Sequence, residues 1–141
     1  MDCFKLTAPC GLDCFNCEIY EGNAAPEMLH ALAAQLGRTP EEVACKGCRQ
    51  QNGCSVHPEC ATLKCVRSKN VDFCYQCGDF PCEKLTPSAQ GAERYPHNYK
   101  LYNLCRIQKS GLTNWAENEA TDIRRRYFKG QFIVGLGPVL K

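Results

Sequence analysis

Apolar residues recur at helical spacing in three stretches of the chain, and a glycine ends each of them. The first stretch, 26–37, begins with a proline and carries one apolar stripe, made of Leu29, Leu32, Ala33 and Leu36. The second covers 98–111. The third covers 114–130, starts with Asn114 and Glu117 at capping-box spacing, and has an inward face made of Ala116, Ala120, Ile123 and Tyr127. We therefore predict three amphipathic helices.

Shorter signals lie between these helices. In residues 39–43, Thr39 is a candidate N-cap, Pro40 takes the first helical position, and Glu42 follows the cap by three residues. A second short helix is predicted in 58–70, and a turn capped by Asp79 in 80–85. The last stretch, 131–141, is apolar but broken by two glycines and a proline, which predicts an extended tail docked on another surface.

The pattern divides the chain into three parts. Residues 86–97 are small and polar with prolines near both ends, which is typical of a linker. Residues 1–85 form a cysteine-rich module, and 98–141 a basic helical segment with an apolar tail. The predicted fold class is a small, metal-stabilised, mostly α protein with irregular cysteine-rich loops and a C-terminal helical pair.

The cysteines make the chain look more hydrophobic than it is. Hydrophobic residues are 44% of the 141 residues, but 13 of them are cysteines. Without cysteine about a third of the chain is apolar, which is little for a self-sufficient core. Small domains of this kind usually need disulfide or metal cross-links.

The cellular compartment of the protein determines whether its cysteines form disulfides or bind metal. The first ten residues do not resemble a signal peptide, and no stretch approaches the ~20 apolar residues of a membrane span. We therefore expect a cytoplasmic protein, in which thiols stay reduced. An odd number of cysteines also fits a closed disulfide framework poorly. Metal binding is the favoured interpretation.

The cysteines cluster at ligand-like spacings. Four groups stand out: C-x3-C-x2-C, C-x2-C with a further cysteine, C-x4-C, and C-x2-C-x4-C. Closely spaced cysteines turn both sulfurs and the intervening N–H groups toward one metal, and Gly11, Gly47 and Gly78 suit such turns. The candidate metal ligands are Cys10, Cys14, Cys17, Cys45, Cys48, Cys54, Cys60, Cys65, Cys74, Cys77 and Cys82.

The identity of the metal stays open between two alternatives. Paired C-x2-C knuckles favour zinc bound by four thiolates. Groups of three close cysteines with a remote fourth are typical of [4Fe–4S] clusters. Eight ligands fill two sites, and twelve, with Cys3, fill three. The first group also resembles the cluster motif of radical S-adenosylmethionine enzymes, but the chain is too short for their barrel and has Asn16 where an aromatic residue is usual.

Several motifs together resemble the domain-of-unknown-function family 3795. They are "CGLDCFNCEIY", "CKGCR", "CATLKCVRSKNVDFCYQC" and "GDFPCEKL", and the likeness covers about residues 8–86. The family consists of small cysteine-rich prokaryotic proteins presumed to bind metal. The resemblance therefore implies metal ligation by the candidate cysteines other than Cys54.

Charge is divided along the chain. Residues 1–97 carry nine Lys/Arg against twelve Asp/Glu, and 98–141 carry eight against three. Because thiolate metal centres are anionic, the basic helices are expected to cover them or to bind a protein partner. The apolar tail is also expected to bind a partner. Nucleic acid is a less favoured partner, and a membrane is not expected. No nucleophile–base arrangement is present, so a binding role is favoured over an enzyme. Cys105 is expected to be a buried free thiol.

Overall fold

A computed structural model describes the whole chain, residues 1–141. Helices dominate its regular structure: α1 (Pro26–Leu36), α2 (Pro40–Val43), α3 (Ala61–Ser68), α4 (Lys100–Ser110), α5 (Leu112–Asn118) and α6 (Ala120–Lys129). Two antiparallel two-stranded sheets complete it: β1 (Gly53–Cys54) with β2 (His57–Pro58), and β3 (Gln131–Ile133) with β4 (Gly137–Val139). The prediction of a mostly helical chain with irregular cysteine-rich loops is confirmed.

Local signals set the first two helices as predicted. Pro26 occupies the start of α1, and Gly37 adopts a left-handed φ of 63° at its end. In α2 the Thr39 hydroxyl accepts the N–H of Glu42, and the Glu42 carboxylate accepts the N–H of Thr39, which forms the predicted capping box. The two helices pack on each other. Only Ala33 of the predicted stripe is buried, and Leu36 is exposed.

One hydrophobic core joins the cysteine-bearing N-terminal part to the C-terminal helices. Trp115 and Leu104 are fully buried at its centre. They share a cluster of 13 buried residues with Cys10, Cys14 and Cys74. The cysteine-rich loops therefore fold against α4, α5 and α6. Residues 86–97 contain no helix or strand and are fixed by hydrogen bonds, such as the one from the Tyr127 hydroxyl to the Ala92 carbonyl at 2.8 Å.

The C-terminal helices differ from the prediction at one point. The predicted helix 114–130 is two helices, because the chain bends at Glu119, whose carboxylate accepts two hydrogen bonds from Arg106 at 2.7 and 2.9 Å. The predicted capping box at Asn114 is wrong, since α5 begins directly after Gly111. The predicted helical pair is therefore a set of three helices. The predicted end at Gly130 is confirmed.

The C-terminal tail is a β-hairpin. Gln131 pairs with Val139 and Ile133 with Gly137. The tail is docked only in part: β4 packs against α6, but Phe132, Val134 and Leu136 are 71%, 87% and 73% exposed. No helix of the structure combines the length and the apolar character that crossing a membrane requires.

Candidate metal centres

The structure collects nine of the eleven candidate cysteines into two groups. The first thiol group comes from three separate segments and consists of Cys14, Cys17, Cys45, Cys48 and Cys54. The second thiol group surrounds a cavity beside α3 and consists of Cys65, Cys74, Cys77 and Cys82. Cys10 and Cys60 lie near each other, and Cys10 is close enough to Cys14 and Cys74 to interact electrostatically with both.

Backbone N–H groups favour the ionised form of several cysteines. The N–H groups of Leu12, Ile19, Gly47 and Val56 each act to lower the pKa of the cysteine two residues before them, and the N–H of Asp79 donates a hydrogen bond to the Cys77 sulfur. The N–H of Asp79 lies 3.4 Å from the Cys77 sulfur. This is the turn geometry expected from the spacing of the cysteines. Such donors stabilise negative thiolates, the form in which cysteine binds metal.

Glycines make part of this turn geometry possible. Gly11 and Gly47 adopt positive φ values of 87° and 102°, as expected for knuckle turns. Gly78 does not have a positive φ, so the expectation is wrong at that position. At Gly11 there is a second reason for glycine. A Cβ there would lie 2.8 Å from the Lys100 carbonyl oxygen, so α4 approaches the first cysteine loop directly.

The thiols of the first group lie close enough to influence one another's pKa. The strongest influences are between Cys14 and Cys48 and between Cys45 and Cys54. The hydrogen bond from Cys54, with further donors from Ser55 and Gly47, lowers the pKa of Cys45 to about 5. The neighbouring Cys14 thiol and burial raise the pKa of Cys48. Within each pair, the neighbouring thiol lowers the pKa of one member and raises that of the other.

The second thiol group lines a cavity of about 280 Å³. Cys65 lies on α3, Cys74 begins a short 3₁₀ turn, and Cys82 precedes another. Burial raises the pKa of Cys74 to about 12. At the cavity mouth Lys69 donates to the Cys77 sulfur at 3.0 Å and lowers the pKa of that thiol.

Asp79 has a different role from the predicted one. Its carboxylate accepts a hydrogen bond from Lys69 at 2.7 Å, whereas the predicted cap would have placed it at the start of a turn through 80–85. The regular part of that turn is the 3₁₀ helix Glu83–Leu85, and Cys82 occupies its N-cap position. The ion pair with Lys69 therefore takes the carboxylate away from the backbone.

The donors suit metal, although no group of three or more Cys, His, Asp or Glu side chains is arranged around a single ion in the structure. Thiolate sulfur is the ligand that zinc and iron–sulfur clusters share. The residues that would hold such a centre are the two thiol groups. A bound centre would supply a fixed cross-link between chain segments or, with iron, a redox couple.

A buried polar network joins the first cysteine loop to the C-terminal helices. Asp13 is 1% exposed, and its carboxylate accepts hydrogen bonds from the Tyr99 hydroxyl at 2.9 Å and from Arg124 at 3.4 Å. Arg124 also pairs with Glu18 at 2.6 Å. Burial raises the pKa of Asp13, and Arg124 opposes that shift. No motif in the sequence indicates a role for these residues, and the only related signal is the charge division between the two parts of the chain.

A second arginine lies between the two cysteine segments. The Arg49 guanidinium is 4.2 Å from the Phe4 ring centre and 4.7 Å from that of Phe73. It also donates to the carbonyls of Thr7 and Asp72 at 2.7 and 2.6 Å. Arg49 therefore ties the N-terminal turn to the segment that carries Cys74. Its place in the "CKGCR" motif was the only signal in the sequence.

Cys105 is not the buried thiol that we predicted. It is exposed on α4, because the inward face of that helix is made of Asn103, Leu104 and Ile107. The side chain of Asn103 donates to the Gly11 carbonyl at 2.7 Å, which turns Cys105 outward. Cys105 is therefore separate from both thiol groups.

Comparison with known proteins gives one match. The model of the family described as "Protein of unknown function (DUF3795)" matches residues 6–87. Neither the curated proteins nor the solved structures contain a match. The matched range holds the two thiol groups together with Cys10 and Cys60, and the resemblance suggested by the cysteine motifs is confirmed. The chain belongs to the DUF3795 family.

Proposed function

We propose that this protein binds metal through cysteine thiolates at two or three sites, and that it is a structural zinc module that acts as an adaptor. The observation that carries the proposal is the gathering of cysteines from separate parts of the chain into two groups, in which backbone N–H groups favour the thiolate form of Cys17, Cys45, Cys54 and Cys77. Those donors favour the anionic form of sulfur, which metals bind. The reduced thiols are consistent with the cytoplasmic location that we expect.

The first thiol group suits a structural zinc ion. On metal binding, Cys14, Cys45, Cys48 and Cys54 would lose their protons and supply four thiolates from three segments. Four thiolates complete the coordination of zinc and leave no position for a substrate. Metal binding would then contribute directly to the stability of the fold. This suits a chain whose core is small and partly made of cysteine.

The adaptor role depends on the C-terminal surface. The hairpin exposes Phe132, Val134 and Leu136 beside α6, where Arg125 and Lys129 are exposed as well. An apolar tip with neighbouring cations suits a protein partner that has an apolar groove and acidic residues. Arg124 contributes little to that surface, because it is engaged with Asp13 and Glu18. Nucleic acid is correspondingly less favoured.

The second candidate function is that of an iron–sulfur protein in electron transfer or in a redox complex. One observation favours it: four cysteines surround a cavity of about 280 Å³, and apolar side chains form part of its wall. Iron–sulfur clusters take four cysteine thiolates. Under this alternative the same family of motifs would supply a [4Fe–4S] site.

Purification without oxygen, followed by analysis for zinc, iron and acid-labile sulfide, tests the proposal. A colourless protein with zinc in integral ratio supports the zinc module, and a brown protein with sulfide and no zinc supports the alternative. Cys45→Ser is expected to lower the metal content, and the exposed Cys105→Ser to leave it unchanged. A protein that holds neither metal, and takes up neither on anaerobic reconstitution, would overturn the proposal.

A further inference from the structure

We infer that the protein forms a symmetric dimer in which the β3 strands of two copies pair antiparallel, with Phe132 of one copy opposite Phe132 of the other. The inference goes beyond the proposed function, because it does not require bound metal. It follows from the way in which the C-terminal hairpin closes one of its two edges and leaves the other open.

The β4 edge of the hairpin is closed to a further strand. β4 packs against α6, and a Cβ at Gly130, where α6 ends, would lie 3.0 Å from the Cβ of Pro138. Pro138 is the middle residue of β4 and has no N–H to donate. An added strand would therefore find α6 in its way and the central donor missing.

The β3 edge is open and offers backbone groups to a partner. All three residues of β3 are exposed, and Phe132 pairs with Pro138 across the hairpin. Opposite residues of antiparallel strands alternate between pairs that exchange two hydrogen bonds and pairs that exchange none. Because Pro138 cannot donate, its pair with Phe132 is of the second kind. The N–H and C=O of Phe132 therefore point away from β4, toward the open edge.

The open edge lacks the features that usually keep edge strands apart. Such strands are commonly protected by a charged side chain, a proline or a bulge. Residues 130–140 contain no charged residue, and β3 contains neither proline nor glycine. Phe132 and Ile133 are 71% and 39% exposed beside the free backbone groups. An edge of this kind is suited to the addition of another strand.

A second copy of β3 fits this edge best. A two-fold axis at Phe132 lets each copy donate one N–H and accept one, with the two Cα atoms about 5.5 Å apart. The two Phe132 rings then become cross-strand neighbours on one face of a four-stranded sheet. β3 carries no charge that would select a charged strand instead. In the antiparallel arrangement the two Lys129 residues lie at opposite ends of the sheet, so their like charges do not meet.

Sedimentation equilibrium of the full chain under reducing conditions tests the inference. The reductant prevents cross-linking through the exposed Cys105. The mass of the wild-type protein is expected to rise with concentration from 15.8 kDa to twice that value. Phe132→Lys places two like charges opposite each other at the axis and is expected to remain monomeric. Leu136→Lys is the matched control: it adds the same charge at an equally exposed position in the turn, and we expect it to dimerise.

Hydrogen exchange supplies a second measurement that does not depend on variants. The amide of Phe132 is expected to exchange more slowly as the dimer forms, whereas the amide of Ile133, which already pairs with Gly137 within the hairpin, should not change. A protein that is monomeric up to its solubility limit, a dimer that survives Phe132→Lys, or an unchanged exchange rate at Phe132 would overturn the inference. Metal analysis of the same samples tests the proposed function separately.

Discussion

The Tyr99 hydroxyl donates a hydrogen bond to the Asp13 carboxylate at 2.9 Å, although 86 positions separate the two residues in sequence. Both side chains are buried. Asp13 belongs to the first cysteine motif, and Tyr99 directly precedes α4. The contact therefore connects the part of the chain that the family shares to helices beyond the family match.

Removal of this donor is expected to destabilise the fold. In Tyr99→Phe the buried carboxylate loses one of its partners, and we expect the free energy of unfolding to fall by about 1–3 kcal/mol. Urea denaturation of protein with matched metal content measures the change. Tyr102→Phe is the control, because Tyr102 is exposed on α4. Equal midpoints for the two variants would contradict the structural role of the contact.

Metal removal is expected to be visible in the fluorescence of Trp115. It is the single tryptophan of the chain and is fully buried against Phe15, with ring centres 5.9 Å apart. If metal supports the fold, a chelator will expose the indole to water and shift its emission to longer wavelength. Added metal should reverse the shift. A chelated protein that has lost its metal but retains the original emission would show that the fold does not depend on it.

The hairpin is expected to be dispensable for metal binding. Deletion of residues 131–141 removes strands that pair with each other and pack next to α6, and none of these residues lines the cavity of the second thiol group. We therefore expect unchanged metal content. The milder double substitution of Val134 and Leu136 by serine should change the free energy of unfolding by no more than about 0.5 kcal/mol, because both side chains face solvent. Loss of metal after truncation would instead make the hairpin part of the metal module.

Acid is expected to weaken the bend between α5 and α6. Hydrogen bonds from Arg106 lower the pKa of Glu119 below its ordinary value of 4.5. The stabilisation is therefore present above pH 4.5 and is lost as pH falls through the lowered pKa. Glu119→Gln should differ from wild type less at about pH 3.5 than at neutral pH, as measured by urea midpoints.

The exposed Glu117→Gln is the matched control for this experiment. It shares any effect of acid on bound metal, so only the ion pair distinguishes the two variants. An equal pH dependence of Glu117→Gln and Glu119→Gln would contradict the role assigned to Arg106.

The sequence predicted those elements whose causes are local. Pro26 and Gly37 bound α1, and the Thr39 capping box starts α2, because each signal acts within one or two turns of helix. The bend at Glu119 depends on Arg106, which lies on another helix. A pattern within 114–130 cannot contain that information, so one helix was predicted where the structure has two.

The candidate ligand cysteines could be proposed from the sequence, but which of them lie together in space could not. Cysteine spacing predicts knuckle turns because the i to i+2 N–H···S contact is local, and the N–H of Asp79 makes such a contact with Cys77. The pairing of Cys14 with Cys48 and the cavity beside Cys65 depend on segments that tertiary folding brings together. The burial of Asp13 beside Tyr99 and Arg124 has the same origin.

The separation of 111 positions between Asp13 and Arg124 in sequence has a consequence for biosynthesis. A ribosome delivers Asp13 more than a hundred residues before the guanidinium that compensates its buried charge. A nascent chain that stops before α6 cannot bury this carboxylate with its full set of partners, which disfavours completion of the core. The buried Asp13 carboxylate is therefore fully compensated only once α6 has packed against the first cysteine loop.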